Sequence, residues 1–295
     1  MAVLTTFKTT YMNILVTGSE GQLGREIREL APHYATHRFY FAGKASLDIT
    51  LADAVRSYLK SRQIDCIINC AAYTAVDKAE TDVAGANLVN ARGAGILASE
   101  SARQGALMVQ LSTDYVFDGK LHRPYTESDP ANPRSVYGKS KLEGEVEVIF
   151  NARRSVIFRT SWLYSSLGHN FVNSVLSAAA HEKELRVVCD QAGTPTYAAD
   201  LARAILDVIP KLPSRIRGEI YNYSNEGLAS WYDFAKAILE IKGLNAAVHP
   251  IHTKELKQAA ERPHYSVLSK TRIKKEFDLQ IPYWRDSLKA CLEKM

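Results

Sequence analysis

The chain has 295 residues, 46% hydrophobic and 23% charged, a soluble-globular balance with room for one large α/β domain or a dinucleotide domain with a smaller one attached. The net charge of +5 comes from scattered basic residues, which excludes a nucleic-acid reading and suits at most an anionic substrate. No apolar run approaches the roughly 18 residues of a membrane span, so no membrane association is expected. Residues 1–11 carry one lysine and no apolar signal-peptide core, and Met12 directly precedes the first strand, so they read as a disordered extension. Cys66, Cys70, Cys189 and Cys291 fit no zinc spacing, and free thiols suit a reducing cytoplasm. Cys66 and Cys70 flank an apolar run and read as buried small residues.

The run Asn13–Thr17 reads as a buried strand, followed at once by Gly18-Ser-Glu-Gly21-Gln-Leu-Gly24 and a helix to about Leu30. In that context Gly18 permits a tight turn, Gly21 lets backbone approach a pyrophosphate, and Gly24 lets helix and strand pack closely. Phosphates would sit at the helix N-terminus, where free N–H groups and the dipole favour anions. Arg38–Ala42 is the second strand. It runs into Gly43-Lys44 rather than the acid that binds a ribose hydroxyl of NAD, which leans towards NADPH or dual use. Asp48 caps or reaches the adenine, and Thr50 is a candidate N-cap for a helix from about Leu51 to Ser61. Cys66–Asn69 is a third strand, and the small residues Ala71 and Ala72 at its end allow close approach of a cofactor. A loop or helix at Val76–Glu80 precedes a long helix over Val83–Gln104, with Asn90 in its middle either facing a partner or solvated.

Leu107–Leu111 is the fourth strand, with Ser112, Thr113 and Asp114 at its C-terminal end. A proline-containing loop from Lys120 to Arg134 leads to a helix over Val136–Phe150, capped by Ser135 or Asn132. Ser155–Thr160 is a fifth strand, with Trp162 just past it. Beyond lie helices at Asn170–Ala180, Ala198–Ile209, Ser230–Ile241, Lys270–Phe277 and Pro282–Glu293, a sixth parallel strand at Glu219–Tyr223, and short strands at Arg186–Val188 and Val248–Ile251. This pattern predicts an α/β, Rossmann-type doubly wound parallel sheet. Residues 12–160 form its dinucleotide-binding core, and residues 161–295 both add to that core and build a smaller substrate lobe.

The spacing Tyr-x-x-x-Lys occurs at Tyr40/Lys44, Tyr137/Lys141 and Tyr232/Lys236. Tyr40 is on a strand, where residues four apart are about 13 Å from one another. Tyr232 lies far downstream. Tyr137 and Lys141 begin the helix after the fourth strand, one turn apart on one face, beside the hydroxyl of Thr113. An ammonium there would favour phenolate and pull the tyrosine down from its ordinary value of about 10. A phenol, an ammonium and a hydroxyl opposite a dinucleotide are equipment for reducing a carbonyl.

The motifs Gly18-x-x-Gly-x-x-Gly24, Asn69-x-Ala-Ala-x-Thr-Ala-Val-Asp-Lys-Ala-Glu80, Ser112-Thr-Asp-Tyr-Val-Phe117, Tyr137-Gly-x-x-Lys141, Phe158-Arg-Thr-Ser-Trp162, Gly193-x-Pro-Thr196 and Arg262-Pro-x-x-Ser266 together resemble the extended short-chain dehydrogenase/reductase superfamily. Within it they resemble the branch of dTDP-4-dehydrorhamnose reductases. The resemblance implies a cytoplasmic, NADPH- or NADH-dependent reduction of the C4 keto group of dTDP-4-dehydro-L-rhamnose, by a monomer or homodimer. It implies Thr113, Tyr137 and Lys141 as the catalytic set. Cofactor contacts would come from Gly18, Glu20, Gly21, Gln22, Leu23, Gly24, Asp48, Ile49, Ala71, Ala72, Tyr73, Asn90, Tyr137 and Lys141. Thr74, Val76, Thr113, Asp114 and Trp162 would line the sugar and nucleotide site. Related dehydratases place a carboxylate where Tyr115 stands, which points to simple reduction. Some relatives pair through magnesium held by glutamates. Glu26 fits one such place, but Ala199 and Lys294 occupy the others, so no metal is expected. Alternatives are reduction of another nucleotide-linked 4-keto-deoxysugar, or a non-catalytic NADP-binding subunit of the methionine adenosyltransferase type.

Overall fold

The structure, a computed structural model, describes residues 11–295, so the extension read at the N-terminus lies, but for Tyr11, outside the described residues. Strands β1 (Met12–Thr17), β2 (His37–Ala42), β3 (Cys66–Asn69), β4 (Leu107–Thr113) and β5 (Arg154–Thr160) join Glu219–Asn222 in one six-stranded sheet. Its order is Glu219–Asn222, β5, β4, β3, β1, β2, and every neighbouring pair is parallel. A parallel sheet with both faces covered needs continuous apolar runs, and β3 and β4 are wholly buried. The order reverses between β1 and β3, which opens a crevice at the C-terminal ends of those strands.

Helices α1 (Gln22–Leu30), α2 (Ala52–Lys60), α3 (Val76–Ala79), α4 (Val83–Asn87), α5 (Ala94–Gln104) and α6 (Val136–Asn151) follow in order. One sheet face packs on Leu23 and Ile27 of α1 with Leu201 and Ile205 of the helix Ala198–Val208. The other face packs on Val55 and Leu59 of α2, Leu97 and Ala98 of α5, and Val148 of α6. Past the fifth strand the chain divides its work. Helix Ala198–Val208 and strand Glu219–Asn222 complete the main sheet, while Val175, Phe234, Ile238, Trp284 and Leu288 form a separate apolar cluster.

Some expectations are corrected. The helix over Val83–Gln104 is not uniform, because Leu88–Gly93 widens into a π-helical segment between α4 and α5. Thr50 caps nothing: its N–H and hydroxyl donate to Asp48 Oδ1 at 2.9 and 2.7 Å, and Leu51 is the N-cap residue of α2. Ser135, not Asn132, caps α6, accepting the Gly138 N–H at 3.1 Å. The Gly193-x-Pro-Thr196 motif carries short strand pairings at both ends, with Ala229–Ser230 and with Leu163–Tyr164.

Candidate active site

The glycine turn adopts a shape that side chains would prevent. Gly18 has φ +61°, and a Cβ there would lie 2.5 Å from Ala71 N. The turn and the end of β3 are therefore in backbone contact at the crevice. A cavity of about 430 Å³ opens beside them, lined by Gly18, Glu20, Gly21, Asp48, Ile49, Ala71, Ala72 and Tyr73 among others. Gln22 Oε1 is buried without a hydrogen-bond partner at the first turn of α1, so an acceptor waits there for a donor. Leu23 belongs to the core. These features fit a dinucleotide. Glu20 of the glycine turn lies beside Gly43, the residue that follows β2. A Cβ on Gly43 would lie 3.0 Å from Glu20 Cγ, and Glu20 Oε1 accepts from Ser19 Oγ at 3.0 Å and Arg28 Nη2 at 3.2 Å.

A buried polar chain crosses the sheet beneath this cavity. Thr17 Oγ1 donates to Asn69 Oδ1 at 2.7 Å, Asn69 Nδ2 to Gln110 Oε1 at 2.8 Å, and Gln110 Nε2 to Leu111 O at 3.0 Å. Asn90, on the π-helical segment, is buried with its side chain fully engaged. Its Oδ1 accepts from Tyr73 N at 2.8 Å, and its Nδ2 donates to Tyr73 O and to Ser140 Oγ at 3.0 and 2.9 Å. It braces the loop after β3 against α6, whose Gly144 permits the approach, since a Cβ there would lie 2.1 Å from Asn90 O.

Tyr137 and Lys141 lie on α6 and Thr113 ends β4, as the spacing predicted. Their electrostatics differ from expectation. Burial pushes Tyr137 up to about 12; the neighbouring Thr113 hydroxyl opposes the rise, and Asp114 adds to it. Lys141 does not pull the phenol down. Its Nζ donates to Leu111 O at 2.6 Å, and burial lowers it to about 8 against the opposing pull of Glu145 and Cys70. Desolvation outweighs the expected charge effect because the ammonium is committed to the strand backbone.

Sequence reasoning missed the groups beneath Lys141. Glu145, one turn further along α6, accepts from Arg159 Nε at 2.9 Å and Nη2 at 2.6 Å and from Ser112 Oγ at 2.5 Å, all within the protein. Arg159 stands opposite Ser112 in the β4–β5 register. The i,i+4 spacing of Lys141 and Glu145 was visible, but nothing in the sequence marked Glu145 as buried.

On the substrate side, Tyr115 meets Tyr137 edge to face, ring centroids 5.5 Å apart. A Cβ on Gly138 would lie 2.2 Å from Tyr115 O, so that glycine lets α6 press against the turn. Trp162 has a left-handed backbone, φ 47°, and stacks on Trp231 at 3.6 Å. A bulky residue in that region is a strained position of the kind found at ligand sites. Thr74 is exposed and Val76 half-buried at the start of α3. Asp77 grips the segment that carries Ser266: Arg262 donates to its two oxygens at 3.1 and 2.5 Å, and Ala259 N and Ala260 N donate at 3.0 and 3.1 Å. The Arg262 guanidinium holds Asp77 down to about 2. A depressed carboxylate contributes stability above its ordinary range and loses it as pH falls through the folded value. We therefore expect Asp77→Asn to show a shallower fall in Tm than the parent between about pH 4 and pH 2. An identical slope in thermal melts counts against this grip.

Glu26 is buried and accepts from Ser165 Oγ at 2.5 Å, with the Lys294 charge nearby. Among the described residues no three His, Cys, Asp or Glu side chains cluster as metal ligands.

Residues 12–295 match the family model described as the RmlD substrate binding domain. The chain is 38% identical to dTDP-4-dehydrorhamnose reductase of Aggregatibacter actinomycetemcomitans, over 94% of this chain and 97% of the relative. The chain belongs to the dTDP-4-dehydrorhamnose reductase family. It is also 42% identical to the spore coat polysaccharide biosynthesis protein SpsK of Bacillus subtilis, over 95% of this chain and 96% of that protein. The crystal structure of the Bacillus anthracis dTDP-4-dehydrorhamnose reductase in complex with NADP superposes with a TM-score of 0.92 at 36% identity, covering 97% of this chain and 100% of that one. The doubly wound sheet and the glycine-turn crevice are therefore those of this family of oxidoreductases.

Proposed function

We propose that the chain reduces the C4 keto group of dTDP-4-dehydro-L-rhamnose to dTDP-L-rhamnose, the last step of dTDP-rhamnose synthesis, using NADPH or NADH. The observation that carries this reading is the meeting of Tyr137 with the Thr113 end of β4, on the sheet edge that also holds the glycine-turn cavity. The dinucleotide, when bound, supplies the hydride. Tyr137 gives its proton to the oxygen that becomes the new hydroxyl. A phenol pushed up to about 12 is fully protonated at neutral pH and so is loaded for reduction. Thr113 donates to the same oxygen as charge builds on it. Lys141, anchored on Leu111 O, keeps further N–H donors for a cofactor hydroxyl.

Tyr115 in place of an acid supports reduction over elimination. Residues 12–160 then serve the dinucleotide, and residues 161–295 bring Trp162 and the 259–266 segment to the sugar side. The cytoplasm suits free thiols, and no helix among the described residues is long and apolar enough to cross a membrane. The test is the loss of NADPH absorbance when the keto-sugar is supplied. Consumption is the expected result. Cofactor binding with no consumption would replace this reading with that of a nucleotide-binding subunit.

A further inference from the structure

The roles assigned above put two demands on one proton. Thr113 must donate to the substrate oxygen as negative charge develops, and a hydroxyl has a single proton to give. In the structure that proton is directed elsewhere: Thr113 Oγ1 donates to Asp114 Oδ1 at 3.0 Å. Its oxygen meanwhile accepts the Tyr115 N–H at 3.2 Å. An ionised Asp114 only accepts, so it would hold the Thr113 proton and leave the substrate oxygen without it.

The surroundings of Asp114 disfavour the ion. The residue is 2% exposed, and its Oδ2 is buried with no hydrogen-bond partner. An ionised carboxylate with an unpaired buried oxygen is costly, whereas a carboxylic acid carries its own donor. The titratable groups around it give little relief. Tyr137 of α6 and Tyr115 of its own turn are neutral phenols, Arg262 is engaged by Asp77, and Lys141 by Leu111 O. Ser266 and the backbone N–H groups of Asp114 and Tyr115 are the remaining polar neighbours, and each favours the ion less than burial opposes it.

We infer that Asp114 works as the protonated acid, donating to Thr113 Oγ1 and so turning the Thr113 proton towards the substrate oxygen. This makes Asp114 a positioning residue for the reaction, and the inference rests on the reading under Proposed function. The Thr113 oxygen then accepts from Asp114 and from Tyr115 N while its own proton faces the cleft. Burial raises Asp114 to about 7, against smaller opposing contributions from Ser266 and Thr113. The acid form therefore prevails below neutrality and gives way to the carboxylate as pH rises through that value.

Two measurements test this. With 13C-labelled aspartate, the signal missing from the Asp114→Asn variant identifies the Asp114 carboxyl in the parent's NMR spectrum. It is expected to titrate near 7, where an ordinary aspartate titrates near about 3.9. In NADPH consumption with the keto-sugar, the parent's kcat is expected to fall above that pH. Asp114→Asn, whose amide N–H donates at every pH, lacks this alkaline fall. Asp114→Ala has no donor and loses about tenfold or more at all pH values. A carboxyl midpoint below about 5, or an unchanged alkaline limb in Asp114→Asn, overturns the inference. If the parent consumes no NADPH at any pH, the reductase reading fails, and the carboxyl titration still decides the state of Asp114.

Discussion

Tyr137→Phe is expected to lose at least about 100-fold in turnover while still binding NADPH. The change removes one hydroxyl and keeps the ring, so the edge-to-face contact with Tyr115 and the first turn of α6 survive. The cofactor cavity is lined by the glycine turn and the ends of β2 and β3, so cofactor affinity is expected to survive loss of the phenol. Positioned general acids contribute about 10²–10⁴ in rate, and the interaction is made only as the alkoxide forms. Turnover and kcat/KM should therefore fall together. The parent phenol, held near 12 by burial, keeps its proton across the neutral range, so its loss cannot be mimicked by a modest rise in pH. Steady-state kinetics and a cofactor titration of the same preparation decide the matter. Turnover within about threefold of the parent would falsify the assignment of Tyr137 as donor.

Glu145→Ala carries the largest expected cost to stability. The Glu145 carboxylate takes two hydrogen bonds from Arg159 and one from Ser112 in a site closed to water. Removing it leaves a buried guanidinium without a counter-charge, and breaking such a pair from one side costs about 3–5 kcal/mol. Arg159→Met should be similarly harmful, because it strands the carboxylate. The double variant Glu145→Leu with Arg159→Met is expected to lose clearly less than the two single losses added together, since an apolar pair of similar volume replaces the ions. Urea unfolding of the four proteins gives the coupling directly. Single losses under about 1 kcal/mol, or strict additivity, would show that the pair is not the buried unit described here. The variant also bears on the chemistry, because Glu145 is the carboxylate that holds up the Lys141 charge against burial.

The local elements were largely readable from the chain. The glycine turn could be recognised because its meaning depends on a contiguous strand, turn and helix, and all three fell within a few residues of their observed bounds. Tyr137 was chosen over two other copies of its spacing by its position after the fourth strand, and the structure puts it beside Thr113. Asn90 had two readings of equal standing. Its three side-chain bonds to Tyr73 and Ser140 come from distant segments that no local pattern names. The π-helical widening that carries Asn90 was likewise invisible, since its residues have the composition of an ordinary helix.

The error over Lys141 is the most instructive. Helical spacing brought phenol and ammonium to one face, and from that alone an attraction between them followed. Burial reversed the sign for Tyr137, and Leu111 O took the ammonium. Covalent order and side-chain periodicity act over a few residues. They were sufficient for the parallel sheet and for the residue types that can reduce a carbonyl, while the crevice at the switch between β1 and β3 came only with the strand order. The protonation states of those groups, the Glu145–Arg159 pair and the Asp77–Arg262 grip depend on desolvation and on contacts between segments far apart in the chain. Those quantities come into existence when the packed structure excludes water.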